Sequence, residues 1–297
     1  MILPDFLLMS RANLETKFNQ IDSPERCLDP VLFAQYPHSV LYKYNSRGFR
    51  DEEWPEDLSH STWCFGDSFT AGMGVPQNHL WPGVLQRKTH TRCINVSMDG
   101  ASNQWLAKKI TSLSQSLLPC CVIVHWSYIN RREVPISPFT KTMNDHWKRF
   151  YRRIKDAAWP DCSNVNNFDL LPDAIKKEIL TIHAGRAEHV ILNNRSIHNQ
   201  YDDETRRLWF DASCDEPADI DDIIDCIDRV NKLGLNVIHS FIPQFATKPA
   251  IVKIVSYLDQ QQCRYVAPFD KLDLARDGDH YDIVTADYFT DQLIKLI

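Results

Sequence analysis

The stretch Gly66-Asp67-Ser68-Phe69-Thr70-Ala71-Gly72 constrains the fold more than any other part of the sequence. It follows Thr62-Trp63-Cys64-Phe65, which reads as a short buried β-strand, and Gly66 stops that strand where the chain must turn sharply into a helix. Strand, tight turn and helix belong to an open parallel α/β sheet, so Ser68 is expected at the carboxyl edge. Small molecules bind at that edge, and amides at a following helix N-terminus stabilise developing negative charge.

The rest of the chain continues the alternation. Trp81 to Lys88 reads as helical, Cys93 to Val96 as a second strand, Gln104 to Leu118 as an amphipathic helix and Cys121 to Trp126 as a third strand. Later, Asp219 to Leu233 forms a helix ended by Gly234, Leu235 to Ile242 a strand, Pro249 to Gln261 a helix and Cys263 to Ala267 a fifth strand. The expected class is α/β, three layers, with helices on both faces of a five-stranded parallel sheet.

Three segments organise the chain. Residues 1–57 read as an extended prelude wrapped on the core, and residues 58–297 as the α/β domain. Residues 134–216 form an expected helical insertion, with an aromatic and basic run from His146 to Arg153. Because it leaves the third strand at its carboxyl end, it should emerge beside the site, as a lid or recognition element; a helical decoration or oligomer contact is the alternative.

A serine hydroxyl is a weak nucleophile near neutral pH and needs a base held by a carboxylate. Asp277-Gly278-Asp279-His280-Tyr281-Asp282 lies in a loop before a terminal helical pattern over Ile283 to Ile297. His280 would take the serine proton on one ring nitrogen while Asp277, or Asp279, binds the other. His280 as a helix cap is the bland alternative; His125, His183, His189, His198 and His239 read as core or surface histidines.

These blocks resemble those of the GDSL-like (SGNH) serine hydrolases. Gly66-Asp67-Ser68-Phe69-Thr70 with Gly72 matches the nucleophile block, Asn95 to Asn103 the second block with Gly100, and Asp277 with His280 the D-x-x-H block. The resemblance implies a flavodoxin-like strand order, Ser68 as nucleophile and first oxyanion donor through its N–H, Gly100 as second donor, Asp277 as orienting acid and His280 as base. From the residues alone, Gly100 reads equally well as a turn glycine.

The third block departs from the pattern. The family places an asparagine just after the third strand, where this chain has Ser127 and Tyr128. Ser127, Asn130 or Asn103 would have to complete the oxyanion hole. Upstream, Asn45-Ser46-Arg47-Gly48-Phe49-Arg50 resembles a prelude of SGNH proteins associated with surface glycans and environmental phage sequences. Those relatives also carry a tryptophan and an arginine-glutamate pair after the third strand, which points to Trp126, Arg131, Arg132 and Glu133 as substrate-binding residues; a structural ion pair is the other reading of the charged three.

Composition excludes several classes. The 297 residues are 43% hydrophobic, enough for one large domain, and the net charge of -6 with both signs interspersed lacks the basic stripe of a nucleic-acid surface. Met1 to Met9 lacks a basic start and is interrupted by Pro4 and Asp5, so neither a signal peptide nor a membrane span is expected, and synthesis is expected in the cytoplasm. The nine cysteines, among them Cys64, Cys120, Cys121 and Cys263, sit in apolar surroundings and read as reduced core thiols. No metal-ligand spacing occurs, and no cofactor is implied.

The sequence therefore reads as a serine esterase acting through Ser68, His280 and Asp277 on an acylated carbohydrate. An O-acyltransferase acting on a glycan and a noncatalytic glycan-binding or virion-associated module, alone or as a homo-oligomer, are the alternative readings.

Overall fold

The computed structural model describes residues 9, 11–19, 21–135, 189–192, 216–243 and 249–297. In chain order the elements are β1 (Glu15–Thr16), α1 (Pro30–Gln35), β2 (Tyr42–Lys43), β3 (Thr62–Gly66), α2 (Ser68–Ala71), α3 (Trp81–Thr89), β4 (Cys93–Ser97), α4 (Asn103–Ser114), β5 (Cys121–Trp126), β6 (Arg132–Pro135), β7 (His189–Leu192), α5 (Glu216–Asn231), β8 (Val237–Phe241), α6 (Pro249–Gln260) and α7 (Ile283–Ile294).

The central sheet is parallel, in the order β4-β3-β5-β8. Every residue of these four strands is buried, because helices cover both faces. On one side α3 packs on α7, with Trp81 and His125 against Phe289 at ring separations of 5.1 and 4.8 Å. On the other, α4 packs on α5 and α5 on α6.

The expected fifth strand is a correction. Cys263 to Ala267 contributes one parallel bridge, His239 to Tyr265, with His239 N–H donating to the Arg264 carbonyl and Val266 N–H to that of His239. Pro268, lacking an N–H, cannot extend the ladder. Four strands and this bridge give the order 2-1-3-4, flavodoxin-like as expected, and the strands and helices fall within a few residues of their predicted positions. The largest difference is α4, which stops at Ser114 instead of continuing to Leu118.

Local chemistry explains the helix starts that matter for the site. Asp67 accepts from Phe69 N–H at the start of α2, and Ser102 from Trp105 N–H at 3.0 Å at the start of α4. The N-cap of α7, Asp282, makes no side-chain cap bond; Asp273 reaches in and accepts from Val284 N–H at 2.7 Å and Thr285 N–H at 3.0 Å.

Part of the prelude forms a β1–β2 ladder with its own small core of Val40, Tyr42, Tyr44 and Met73. Most of the 134–216 segment lies outside the described residues; His189–Leu192 within it pairs antiparallel with β6, so this part is strand where helix was expected. Among the described residues the cysteines are free thiols, with Cys64, Cys93, Cys121 and Cys226 buried. Cys120 corrects the core reading: it is exposed, and Cys263 is half-exposed.

Candidate active site

Ser68 opens α2 directly beyond the carboxyl end of β3. Gly66 is required by close approach: a Cβ there would lie 1.9 Å from Thr70 Oγ1 and 3.3 Å from the His125 Cβ. Arg50 fastens the far end of the turn. Its buried guanidinium donates to the carbonyls of Ala71, Gly72, Val75 and Leu41, and stacks 4.2 Å over the Tyr42 ring. The prelude motif thus has a structural role, since Asn45 Oδ1 accepts from the Arg47 and Phe49 N–H groups and shapes the turn that delivers Arg50.

The last loop brings His280 to Ser68. His280 Nε2 is 2.8 Å from Ser68 Oγ and its Nδ1 is 2.6 Å from Asp277 Oδ2. An ionised carboxylate only accepts, so Nδ1 carries the proton and Nε2 is left to accept from the serine hydroxyl. The other oxygen of Asp277 accepts from the N–H groups of Asp279 at 2.9 Å and His280 at 3.0 Å. The D-x-x-H spacing is therefore a turn in which one carboxylate oxygen holds the backbone and the other holds the imidazole. Asp277, not Asp279, fills that place.

All three side chains are nearly withdrawn from solvent, at 3% exposure for Ser68, 4% for His280 and 0% for Asp277. Burial works against the His280 charge, but the Asp277 carboxylate and its hydrogen bond outweigh it and hold the imidazole pKa above its usual value. Burial likewise works against the Asp277 charge, and His280 with the two N–H donors holds that carboxyl below its usual value. The Phe69 ring lies 4.5 Å from that of His280.

The oxyanion candidates differ in what surrounds them. Gly100 has φ +74° with open space where a Cβ would point, and Met98 N–H donates to the Gly66 carbonyl, tying the β4 turn to the end of β3. Asn103 and Ser127 are engaged elsewhere. The Asn103 Nδ2 lies 3.3 and 3.4 Å from the Ser127 and Tyr128 carbonyls, and the Ser127 hydroxyl donates to Asp67 Oδ2 at 2.6 Å. Asn130 is half-buried in the turn closed by Arg131 N–H on the Tyr128 carbonyl.

The structure separates the four substrate-binding candidates. Trp126 is a core residue, with 0% exposure and its indole N–H donating to His239 Nδ1 at 3.1 Å, because a strand covered on both faces has no side chain to spare for a ligand. Arg131 does reach the site, with Nη1 2.7 Å from Asp67 Oδ2 and 3.1 Å from the Ala101 carbonyl. Arg132 and Glu133 lie in β6, and their side chains fall outside the described residues.

Sequence reading missed the partners of Asp67. This wholly buried carboxylate, next to Ser68 in sequence, collects Arg131, Ser127 and the Phe69 N–H. It also missed Asp22 and Arg276, an ion pair at 2.7 Å whose carboxylate is wholly buried and whose guanidinium is partly so. No local pattern announces either set, since each joins segments far apart in the chain.

No protein-family model matches the sequence, and no curated protein matches it. Among solved structures, the chain is similar to a member of the lipolytic protein G-D-S-L family from Veillonella parvula, with 11% identity over 79% of this chain and 96% of that one, TM-score 0.42. It is also similar to a family two carbohydrate esterase from Clostridium thermocellum, with 9% identity over 82% of this chain and 65% of that one, TM-score 0.41. Among the described residues no helix is long and apolar enough to cross a membrane, and no group of His, Cys, Asp or Glu could hold a metal ion.

Proposed function

We propose that this chain is a serine hydrolase that cleaves an acyl ester, with Ser68 as nucleophile, His280 as general base and Asp277 as its orienting acid. The observation that carries this is the continuous pair of contacts from Ser68 Oγ to His280 Nε2 at 2.8 Å and from Nδ1 to Asp277 at 2.6 Å. Hydrogen-bond reach between nucleophile and base, and between base and orienting group, is what general-base catalysis at serine requires.

Ser68 Oγ attacks the ester carbonyl carbon as its proton passes to Nε2. The carbonyl π electrons move onto oxygen, where the Ser68 N–H, one of the donors a first helical turn leaves without an intrahelical acceptor, and the Gly100 N–H receive the charge. Collapse breaks the bond to the alcohol oxygen, which takes the proton from Nε2. Water, deprotonated by the same nitrogen, then attacks the acyl carbon; the bond to Ser68 Oγ breaks, Oγ takes the proton back from Nε2, and the acid leaves. Throughout, the ionised Asp277 stabilises the imidazolium without taking its proton.

The substrate class we infer is a short acyl group, such as acetyl, on a carbohydrate hydroxyl. The resemblance of Asn45 to Arg50 to the prelude of glycan-associated SGNH proteins supports it. The test is labelling with a fluorophosphonate probe, comparing wild type with Ser68→Ala and His280→Ala, followed by acetate release from acetylated oligosaccharides beside a long-chain ester. Labelling and turnover that vanish in both variants are expected; a folded wild type that neither labels nor turns over overturns the reading. Turnover of the long-chain ester alone would overturn the carbohydrate assignment.

A further inference from the structure

Asp22 lies in the N-terminal segment, 254 positions before Arg276, and its side chain is wholly buried. One branch of its contacts runs to the acid. Arg276 Nε and Nη2 donate to the two Asp22 oxygens at 2.9 and 2.7 Å, a bidentate pair on the residue just before Asp277. The same guanidinium donates to the Lys17 carbonyl at 2.8 Å and lies 4.8 Å over the Phe33 ring. Leu28 N–H donates to the Asp277 carbonyl at 2.9 Å, so the N-terminal segment holds the acid turn by main chain as well.

The other branch runs to the nucleophile. Tyr42 OH donates to Asp22 Oδ2 at 2.5 Å and accepts from Gly74 N–H at 2.8 Å. Gly74 follows Met73, whose N–H donates to the Ser68 carbonyl at 3.1 Å, and the Gly74 carbonyl accepts from Arg276 N–H at 3.2 Å. One carboxylate is thereby shared between the turn that leaves the nucleophile helix and the loop that carries Asp277 and His280.

Resting on the triad reading above, we propose that Asp22 is a positioning residue, which fixes the separation of Ser68 from His280 through Tyr42 on one side and Arg276 on the other. Catalytic groups must be held within about 0.5 Å of productive geometry, and a misplacement of about 1 Å costs on the order of a hundredfold in rate. Two loops about 200 residues apart in sequence need a common anchor to hold such a tolerance.

The test compares Asp22→Asn, Tyr42→Phe and Arg276→Lys with wild type in two readouts: kcat and KM for a short-chain ester, and the downfield NMR resonance of the His280 Nδ1 proton shared with Asp277. Asp22→Asn is expected to lower kcat about 10- to 100-fold with KM within about twofold, and to shift or broaden the resonance. Tyr42→Phe, which spares the Arg276 pair, should lose less, and Arg276→Lys, which keeps the charge but not the fork, should lie between it and Asp22→Asn. Wild-type kcat and an unmoved resonance in folded Asp22→Asn, or in the other two variants should Asp22→Asn not fold, overturn the proposal. The resonance is independent of turnover, so a wild type without esterase activity overturns the hydrolase reading while the proton signal still decides the role of Asp22.

Discussion

Asn103 closes on Ser127 from two sides: its Oδ1 accepts the Ser127 N–H at 2.8 Å and its Nδ2 donates to the Ser127 carbonyl at 3.3 Å. A side chain at the start of α4 thus sets the path of the chain as it leaves β5. The Ser127 hydroxyl then turns to Asp67 and shares it with Arg131.

It follows that Ser127→Ala lowers kcat less than about tenfold, because its hydroxyl is committed to Asp67; loss of a true oxyanion donor costs about a hundred- to a thousandfold. Asn103→Ala should be the more damaging change. It leaves buried backbone groups of Ser127 unpaired, at about 1–3 kcal/mol. Steady-state kinetics and urea unfolding on both variants check the order, and a larger kcat loss in Ser127→Ala than in Asn103→Ala reverses it.

Asp277→Asn keeps the volume and loses the charge. Its amide oxygen keeps the N–H groups of Asp279 and His280 and its NH2 then faces Nδ1 as a donor, so Nδ1 must accept, the ring proton moves to Nε2 and Nε2 can no longer take the serine proton. A fall in kcat of about 10⁴-fold is expected with little change in KM. Asp279→Asn serves as the control, with activity within about threefold of wild type; equal losses in the two would reassign the acid.

The acid limb of the rate profile follows from His280. The base must be neutral to accept the serine proton, and Asp277 raises its pKa despite burial, so kcat/KM should rise with pH through a midpoint above about 6.5. A midpoint at or below that value would contradict the geometry. The same shift stabilises the fold below the unfolded pKa, and this contribution is lost as pH rises through the folded one.

Stability at acid pH is governed by other histidines. His125 and His239 are held to about 4 by burial, so between about pH 6.5 and 4 the unfolded chain binds protons that the fold does not. Each contributes on the order of 3 kcal/mol above that window, lost progressively as pH falls. Asp282, pushed up to about 6 chiefly by burial, acts oppositely and offsets about one histidine. The urea midpoint should therefore fall from about pH 6.5 to 4, and His239→Gln should flatten the fall; a midpoint independent of pH in this range would refute the assignment.

How much of this was legible depended on distance along the chain. Asp277, Gly278 and His280 carry their turn within four residues, and Gly66 to Gly72 carry strand end, cap and helix within seven, so these local elements and their hydrogen bonds could be read directly. The 2-1-3-4 order needed the family resemblance, because periodicity sets which segments are strands and not which are neighbours. Cys263 to Ala267 has strand composition, yet an edge position and Pro268 reduce it to one bridge.

The sequence by itself determined the alternation of strands and helices, the serine at a strand end and the Asp277–His280 turn, since each is written in short-range periodicity and local hydrogen bonding. Only the tertiary structure decided that Trp126 faces the core, that Ser127 and Arg131 converge on Asp67, and that Asp22 contacts both Tyr42 and Arg276. Those contacts pair buried charges and hydrogen-bonding groups from segments tens to hundreds of residues apart. Which pairs form is fixed by how the layers pack and exclude water, and no local pattern of residues encodes that.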